Sequence, residues 1–108
     1  MQTVEIKDLY RHTGEVVTVR GWIETIRDQK KRQFLIIRDR TGLVQAINEK
    51  EGRAEMTAIV FSLTPESTAE ITGRIVSNDI VKLGGLELII EAIKVHSVAS
   101  SPLPINDG

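Results

Sequence analysis

A phenylalanine surrounded by basic side chains is the feature of this sequence that points most directly to a chemical role. Residues 27–40 read RDQKKRQFLIIRDR and contain six of the chain's fourteen lysines and arginines and one of its two phenylalanines, Phe34. The basic residues that precede this phenylalanine are Arg27, Lys30, Lys31 and Arg32. An aromatic ring offers a flat surface on which a nucleic-acid base can stack, and neighbouring cations attract its phosphates. Residues 27–40 are therefore a candidate surface for single-stranded nucleic acid.

The alternation of side chains along the strands decides whether Phe34 can act in this way. A strand phenylalanine is more commonly part of a core than of a binding surface. Here Leu35 and Ile37 alternate with Phe34 along the strand, so they point to the opposite face and can fill the core. This leaves Phe34 on the outer face. The same alternation places Gln45, on the next strand, on that outer face. Its amide can donate to and accept from the edge of a base, so a ring beside an amide suits the reading of RNA.

The charged residues near this surface also have more ordinary explanations. The four basic residues of 27–32 lie between the first and second predicted strands, where they can simply be a solvated turn that prevents edge pairing. In small β-barrels that bind nucleic acid, however, the loop between the first two strands borders the binding face. Glu87 on the last strand repels phosphate, but its carboxylate can accept a hydrogen bond from the amino group of a base.

Length and composition indicate one globular domain. The chain has 108 residues, of which 41% are hydrophobic and 27% charged, as expected for a single domain with its own core. Its net charge of -1 argues against a protein that coats duplex nucleic acid and favours a local basic patch. No run approaches the roughly 20 apolar residues of a membrane helix. Because cysteine and a recognisable signal peptide are also absent, we expect a soluble, cytoplasmic protein.

The remaining residues offer no set that could carry catalysis. His12 and His96 lie far apart without a second ligand at metal spacing, and Gly84-Gly85 is better explained as a turn than as a phosphate-binding loop. No nucleophile, base and oxyanion donor can be named together. We therefore predict no catalytic residue, no cofactor and no metal site in this chain.

The predicted elements follow one another in the order β-β-β-α-β-β. A short helix follows Thr3, which we interpret as its cap, and stops near Gly14. Alternation predicts strands at 16–26, 33–38, 43–47, 69–75 and 86–95, and helical spacing predicts a short helix at 51–61. A slip in phase between Ile23 and Ile26 indicates a bulge in the first strand.

This order is that of the all-β OB-fold, a five-stranded barrel with a short helix between strands 3 and 4, here preceded by a short N-terminal helix. Another small barrel, or part of a sandwich, would also accommodate strands of this spacing. We assign residues 1–100 to the domain. Residues 101–108 contain Pro102 and Pro104 and are assigned to a linker.

Several short motifs are specific in combination. They are Val-Thr-Val-Arg-Gly-Trp at 17–22, Arg-Asp at 27–28, Phe34, Arg-Asp-Arg-Thr-Gly-Leu-Val-Gln at 38–45, Glu-Ser at 66–67, Thr-Gly-Arg-Ile at 72–75, Leu-Glu-Leu at 86–88 and Pro-Leu-Pro-Ile at 102–105. With them the chain resembles the N-terminal anticodon-binding domain of the aspartyl- and asparaginyl-tRNA synthetases, subclass b of class II. The run at 38–45 is more similar to the aspartyl group, and Ile-Lys-Asp-Leu-Tyr at 6–10 to the asparaginyl group, so both specificities stay open.

The resemblance implies roles for individual residues. Phe34 would stack on the central uridine of the anticodon, Gln45 would form a hydrogen bond with an anticodon base, and Arg27 would help to hold the loop. Glu87 stands where the family has an acidic residue that reads the anticodon. Asn78 stands where some bacterial relatives have a basic residue, which leaves the contact with the first or third anticodon base open.

The same resemblance implies partners. The anticodon loop of tRNA(Asp), of tRNA(Asn) or of both would bind, and these anticodons share G-U at their first two positions. A parent ligase would use ATP and Mg²⁺ and would dimerise through a catalytic domain that follows residues 102–105, whereas this fragment would hold no cofactor and contact no membrane. We favour a fragment of such a ligase over two alternatives, a free-standing RNA-binding paralogue and a protein-interaction domain.

Overall fold

The computed structural model describes residues 3–81 and 84–98. Its elements are an N-terminal 3-10 helix (Ile6–His12), β1 (Val16–Asp28), β2 (Arg32–Asp39), β3 (Gly42–Glu49), α1 (Ala54–Ser62), β4 (Thr68–Ser77) and β5 (Leu86–Ser97). The five strands close into a barrel in the order β1-β2-β3-β5-β4. The predicted OB-fold, with its short helix between β3 and β4 and its short N-terminal helix, is confirmed. The predicted linker, residues 101–108, lies outside the described residues.

The first strand pairs with two neighbours because it bends. Residues 16–22 pair with β4 and residues 22–28 pair with β2, with a shift in register between Ile23 and Thr25. The predicted bulge is therefore confirmed. Gly21 is required next to this bend, since a Cβ atom there would collide with the carbonyl oxygen of Arg38 on β2.

Alternating apolar side chains from all five strands fill the barrel. They include Val17, Val19, Ile23, Leu35, Ile37, Val44, Ala46, Ile71, Ile75, Leu88 and Ile90. Since successive residues of a strand face opposite sides, the intervening residues of each strand lie on the outer surface. The order of the barrel places β3 between β2 and β5, to which it pairs antiparallel and parallel respectively. The outer face of these three strands carries the candidate site.

The N-terminal helix is held by a distant carboxylate and not by the predicted cap. Thr3 forms an isolated bridge with Thr18, and Glu5 stands at the cap position without a side-chain hydrogen bond. The assignment of Thr3 as the cap is therefore wrong. Asp39, at the end of β2, accepts a hydrogen bond at 2.9 Å from the amide of Ile6 through Oδ2. This bond satisfies one of the free amides at the start of the helix.

The same carboxylate organises the turn between β2 and β3. Asp39 Oδ1 accepts hydrogen bonds from the amides of Thr41 and Gly42 at 2.7 and 3.1 Å. Burial acts to raise the pKa of Asp39, but the hydrogen bonds from Thr41, Ile6 and Gly42 outweigh it and lower that pKa below its usual value. The ionised form of Asp39 therefore joins the helix to the turn.

The α-helix starts later than its spacing predicts. The prediction placed it at 51–61, whereas it spans Ala54–Ser62. Residues 51–52 form a turn in which Gly52 has a φ of 73°, a conformation that does not continue into a helix. Within the described part of the chain, no helix has the length and apolar character needed to cross a membrane.

Two buried amides close the end of the barrel under α1. Gln33 and Asn48 are paired across β2 and β3, and both are fully buried. Asn48 Nδ2 donates to Gln33 Oε1 at 2.9 Å, and Gln33 Nε2 donates to the carbonyl oxygen of Thr57 in the helix at 3.1 Å. Because buried amides need such partners, this network fixes the helix against the strands.

Candidate nucleic-acid interface

Phe34 lies on the outer side of the barrel wall. Its neighbours Leu35 and Ile37 are 0% exposed inside the barrel, whereas Phe34 is half-buried and does not belong to the core. Its partner on β1 is Arg27, whose guanidinium carbon stands 4.9 Å from the centroid of the ring. The orientation that alternation predicts is therefore observed, with a cation against the ring.

Gln45 lies in the next row of outward-facing side chains on the same face, where a row means the side chains that pair across neighbouring strands. It pairs with Ile36 on β2 and with Glu87 on β5, while Phe34 pairs with Ile47. Two residues of a strand separate the rows, which corresponds to about 7 Å. Gln45 Nε2 donates a hydrogen bond to Glu87 Oε2 at 2.9 Å. One of the two N–H donors of the amide is thus occupied, and the carbonyl oxygen is an acceptor that Gln45 can offer to a ligand.

Glu87 is a nearly buried carboxylate, with only 7% of its surface exposed. Asn78, just after β4, donates to Glu87 Oε1 through Nδ2 at 3.4 Å. Within the described residues its side-chain partners are thus two amides, neither of which carries a charge. The carboxylate therefore keeps its capacity to accept further hydrogen bonds from a donor placed beside Gln45.

The basic residues of the first loop do not form one cluster. Lys30 and Lys31 are exposed in the bend between β1 and β2 and make no ion pair with a described residue. Arg32 begins β2 and pairs instead with Glu49 of β3, with 3.3 Å between Nε and Oε1. Arg27 lies beside Phe34, as described above. Among the described residues, two lysines at the tip of the loop and Arg27 near the end of β1 are thus left without an ion pair.

Asp28 anchors the base of this loop, a role that sequence reasoning missed. Its Oδ1 accepts a hydrogen bond from Gln33 Nε2 at 2.8 Å and forms an ion pair with Lys50 at 3.1 Å. The hydrogen bond from Gln33, followed by the contact with Lys50, lowers the pKa of Asp28. Because these partners hold Asp28, it does not neutralise Arg27. The inward parity of Gln33 on β2 was the signal that could have indicated this network.

The described residues offer no metal site. In residues 3–81 and 84–98, no group of three or more histidine, aspartate and glutamate side chains could hold a metal ion.

Comparison with known proteins agrees with this geometry. A family model described as an OB-fold nucleic acid binding domain matches residues 17–95. The asparagine–tRNA ligase of Desulforamulus reducens is 36% identical over 99 residues, which cover 92% of this chain and 23% of the relative. The aspartate–tRNA(Asp/Asn) ligase of Opitutus terrae is 33% identical over 102 residues, covering 88% of this chain and 17% of the relative.

A solved structure shows the same relationship. Asparaginyl-tRNA synthetase from Pyrococcus horikoshii, complexed with asparaginyl-adenylate, superimposes with a TM-score of 0.83 at 30% identity, over 96% of this chain and 24% of that one. The chain thus spans about a fifth of the length of the relatives it matches, 23% and 17% of the two ligases. The predicted resemblance to aspartyl- and asparaginyl-tRNA synthetases is confirmed, and the chain belongs to the family of OB-fold nucleic acid binding domains.

Proposed function

We propose that the outer face of β2, β3 and β5 binds the anticodon loop of aspartate- or asparagine-type tRNA, as the recognition domain of a longer tRNA ligase. One observation carries this proposal. Phe34, with Arg27 against its ring, stands one row from a cluster formed by Gln45, Glu87 and Asn78. A stacking surface and hydrogen-bonding groups for base edges thus share one face, which is what the recognition of unpaired RNA bases requires.

The first part of the recognition is stacking. The half-exposed ring of Phe34 receives the central base of the anticodon, for which the family resemblance implies uridine. The guanidinium of Arg27 polarises the ring and attracts the adjacent phosphate. Stacking of one base on an aromatic side chain contributes about 1–3 kcal/mol, and it depends little on the identity of the base. Sequence discrimination must therefore come from other residues.

The amide and the carboxylate supply that discrimination. Because one N–H of Gln45 is bonded to Glu87, the amide has a set orientation, and its carbonyl oxygen can accept the N3–H of a uridine. Glu87 accepts hydrogen bonds only, so it favours a base that presents N–H groups, such as the guanine at the first anticodon position. Both preferences agree with anticodons that begin with G-U.

Asn78 leaves the choice between the two tRNAs open. Its side chain is neutral and is directed toward Glu87. No fixed charge at this position then distinguishes cytosine from uracil at the third anticodon base. We propose that tRNA(Asp) and tRNA(Asn) hairpins bind with comparable affinity.

Aminoacylation is proposed to belong to other regions of a longer protein. In this proposal the binding of ATP and Mg²⁺, and the dimerisation of a parent ligase, involve residues outside the domain described here. The proposed compartment is the cytoplasm, where tRNA is charged.

Titration of labelled RNA hairpins tests the proposal. The 108-residue chain is titrated against hairpins with the loops of tRNA(Asp) and tRNA(Asn) and against a hairpin with a scrambled loop, each at several salt concentrations. Preference for the two cognate loops, with affinity that falls as salt rises, supports anticodon binding. Equal binding of all three loops contradicts anticodon reading and favours the RNA-binding paralogue. No binding by the folded chain contradicts it as well and favours the protein-interaction domain.

A further inference from the structure

We propose that a groove beside the N-terminal helix binds one further nucleobase of the same RNA loop, on the side of Gln45 opposite to Phe34. This inference rests on the proposed function, because the RNA must already lie across β2, β3 and β5. It adds a site to that function, formed by Tyr10, Arg11 and Leu43.

The groove is large enough for a base and is mostly apolar. It has a volume of about 530 Å³ and lies between the N-terminal helix, the start of β3 and the start of β5. This size falls within the range of about 300–1,000 Å³ that is typical of ligand-binding clefts. Its walls include Tyr10, Leu43 and Leu86. Tyr10 is 62% exposed and Leu43 is 40% exposed, so the apolar surface is open.

The groove continues the proposed binding face. Leu43 precedes Gln45 by two residues on β3, and side chains two residues apart lie on the same face of a strand. The rows of Phe34, Gln45 and Leu43 therefore follow one another at steps of about 7 Å. An RNA loop that contacts both Phe34 and Gln45 needs only one more step in the same direction to reach the groove.

Tyr10, like Phe34, has an arginine side chain against its ring. The guanidinium carbon of Arg11 stands 5.4 Å from the centroid of the tyrosine ring, and Arg11 Nε donates to the tyrosine hydroxyl at 2.9 Å. Neither Arg11 nor Arg27 forms an ion pair with a carboxylate in the described part of the chain. Each ring therefore presents a stacking surface beside a cation that is free to attract phosphate.

A third ring provides the contrast. Arg38 stands over Trp22 at 5.1 Å, but its guanidinium forms ion pairs with Glu24 at 2.9 Å and with Glu66 at 3.0 Å. These two carboxylates neutralise it, so this pair has the ring without the free charge. The combination that suits RNA is thus found at Phe34 and at Tyr10 but not at Trp22.

The charge next to the groove favours a nucleic acid over an apolar partner. Lys7 lines the groove but is paired with Glu5 and Asp8, so Arg11 is the cation beside the groove that makes no ion pair with a described carboxylate. OB-folds contact about 4–16 nucleotides of a single strand. One ring and one amide cluster account for only part of such a contact, and Tyr10 extends it.

A coupling experiment on the 108-residue chain tests the inference. The cognate anticodon hairpin is prepared as a series in which each loop nucleotide in turn is abasic, and its affinity is measured for the unaltered chain, for Phe34→Ala and for Tyr10→Ala. Tyr10→Ala should weaken binding by about 5- to 150-fold, the equivalent of one stacked base. At one loop position, removal of the base should not weaken binding to Tyr10→Ala any further, because the contact is already lost. This position should differ from the one at which removal of the base has no further effect in Phe34→Ala.

Matched variants separate the outcomes. Phe61→Ala removes a ring that is 71% exposed and should leave affinity unchanged. Tyr10→Phe keeps the stacking ring and should therefore also keep the affinity. If Phe34→Ala weakens binding while Tyr10→Ala behaves like Phe61→Ala, the inference is overturned and the proposed function stands. If Phe34→Ala also has no effect, both are overturned. Equal loss for every abasic hairpin indicates a backbone contact and likewise overturns the inference. Tyr10→Leu replaces Tyr10→Ala if the alanine variant does not fold.

Discussion

Gln45 and Glu87 are joined by a hydrogen bond of 2.9 Å between Nε2 and Oε2, although 42 residues separate them in the sequence. The parallel pairing of β3 with β5 creates this contact, since it places the two residues directly opposite each other. The bond sets the orientation of the amide, because only its NH₂ group can donate to a carboxylate. Gln45 therefore offers a defined acceptor to a base.

Loss of this amide should affect selectivity more than affinity. Gln45→Ala removes the acceptor and leaves the stacking on Phe34 in place. We expect binding of the cognate hairpin to fall toward that of hairpins with a changed central base, so that the difference of about 1–3 kcal/mol attributable to a base contact shrinks. Fluorescence anisotropy with the four central-base variants measures this. An equal loss for all four would refute the base-reading role.

Loss of the ring should affect affinity for every loop. Phe34→Ala removes a contribution of about 1–3 kcal/mol and should weaken hairpin binding by roughly one to two orders of magnitude. Phe61→Ala, which truncates an exposed ring on α1, is the control. Unchanged affinity of a folded Phe34→Ala variant would contradict the assignment of the binding face.

The Asp39 carboxylate should make stability depend on pH. The pKa of Asp39 is lower in the folded chain than in the unfolded chain. Its stabilisation is therefore present at a pH above the unfolded pKa of about 3.9 and is lost as the pH falls through the lower pKa of the folded chain. Asp39→Asn cannot accept the same set of amide hydrogen bonds and should cost about 1–3 kcal/mol at neutral pH. Urea unfolding at pH 7 and below pH 4 measures both effects.

A control substitution isolates this effect. Asp79 is exposed in the turn that follows β4, so Asp79→Asn should leave the stability at pH 7 unchanged. If Asp39→Asn and Asp79→Asn unfold at the same urea concentration, the carboxylate does not hold the N-terminal helix.

Gly21 should tolerate no side chain. A Cβ atom there would collide with the backbone oxygen of Arg38, and the backbone can relieve this only by moving β1 away from β2. Overpacking of this kind costs about 1–3 kcal/mol or more, so Gly21→Ala should lower the midpoint of thermal unfolding. Gly42→Ala is the matched control, because its Cβ would stand 3.5 Å from Ile6, an ordinary contact. Equal midpoints for both variants would contradict the close approach at Gly21.

Local alternation predicted the parts of the site that depend on single strands. The parity of Leu35 and Ile37 correctly placed Phe34 outside the core, and the same rule placed Gln45 beside it. The bulge in β1 was predicted from the slip between Ile23 and Ile26. These features follow from the two-residue period of a strand, which is a property of the sequence itself.

Contacts between distant segments could not be predicted in this way. The capping of the N-terminal helix by Asp39 joins residues 33 positions apart, and the alternative of a local cap at Thr3 was wrong. The buried pair of Gln33 and Asn48 was also not predicted, because polar residues are expected outside unless their partners are known. The roles of Phe34 and the other site residues in binding RNA stay predictions.

The pairing of β3 with β5 has a consequence for the stability of the domain. Residues 45–47 meet residues 87–89 there, and this is the shortest of the five strand ladders that close the barrel. The proposed ligand spans this junction, touching Gln45 on one side and Glu87 on the other. A bound loop would connect β3 to β5 across this shortest ladder. Occupancy would then slow hydrogen exchange in both strands and oppose local opening of the barrel.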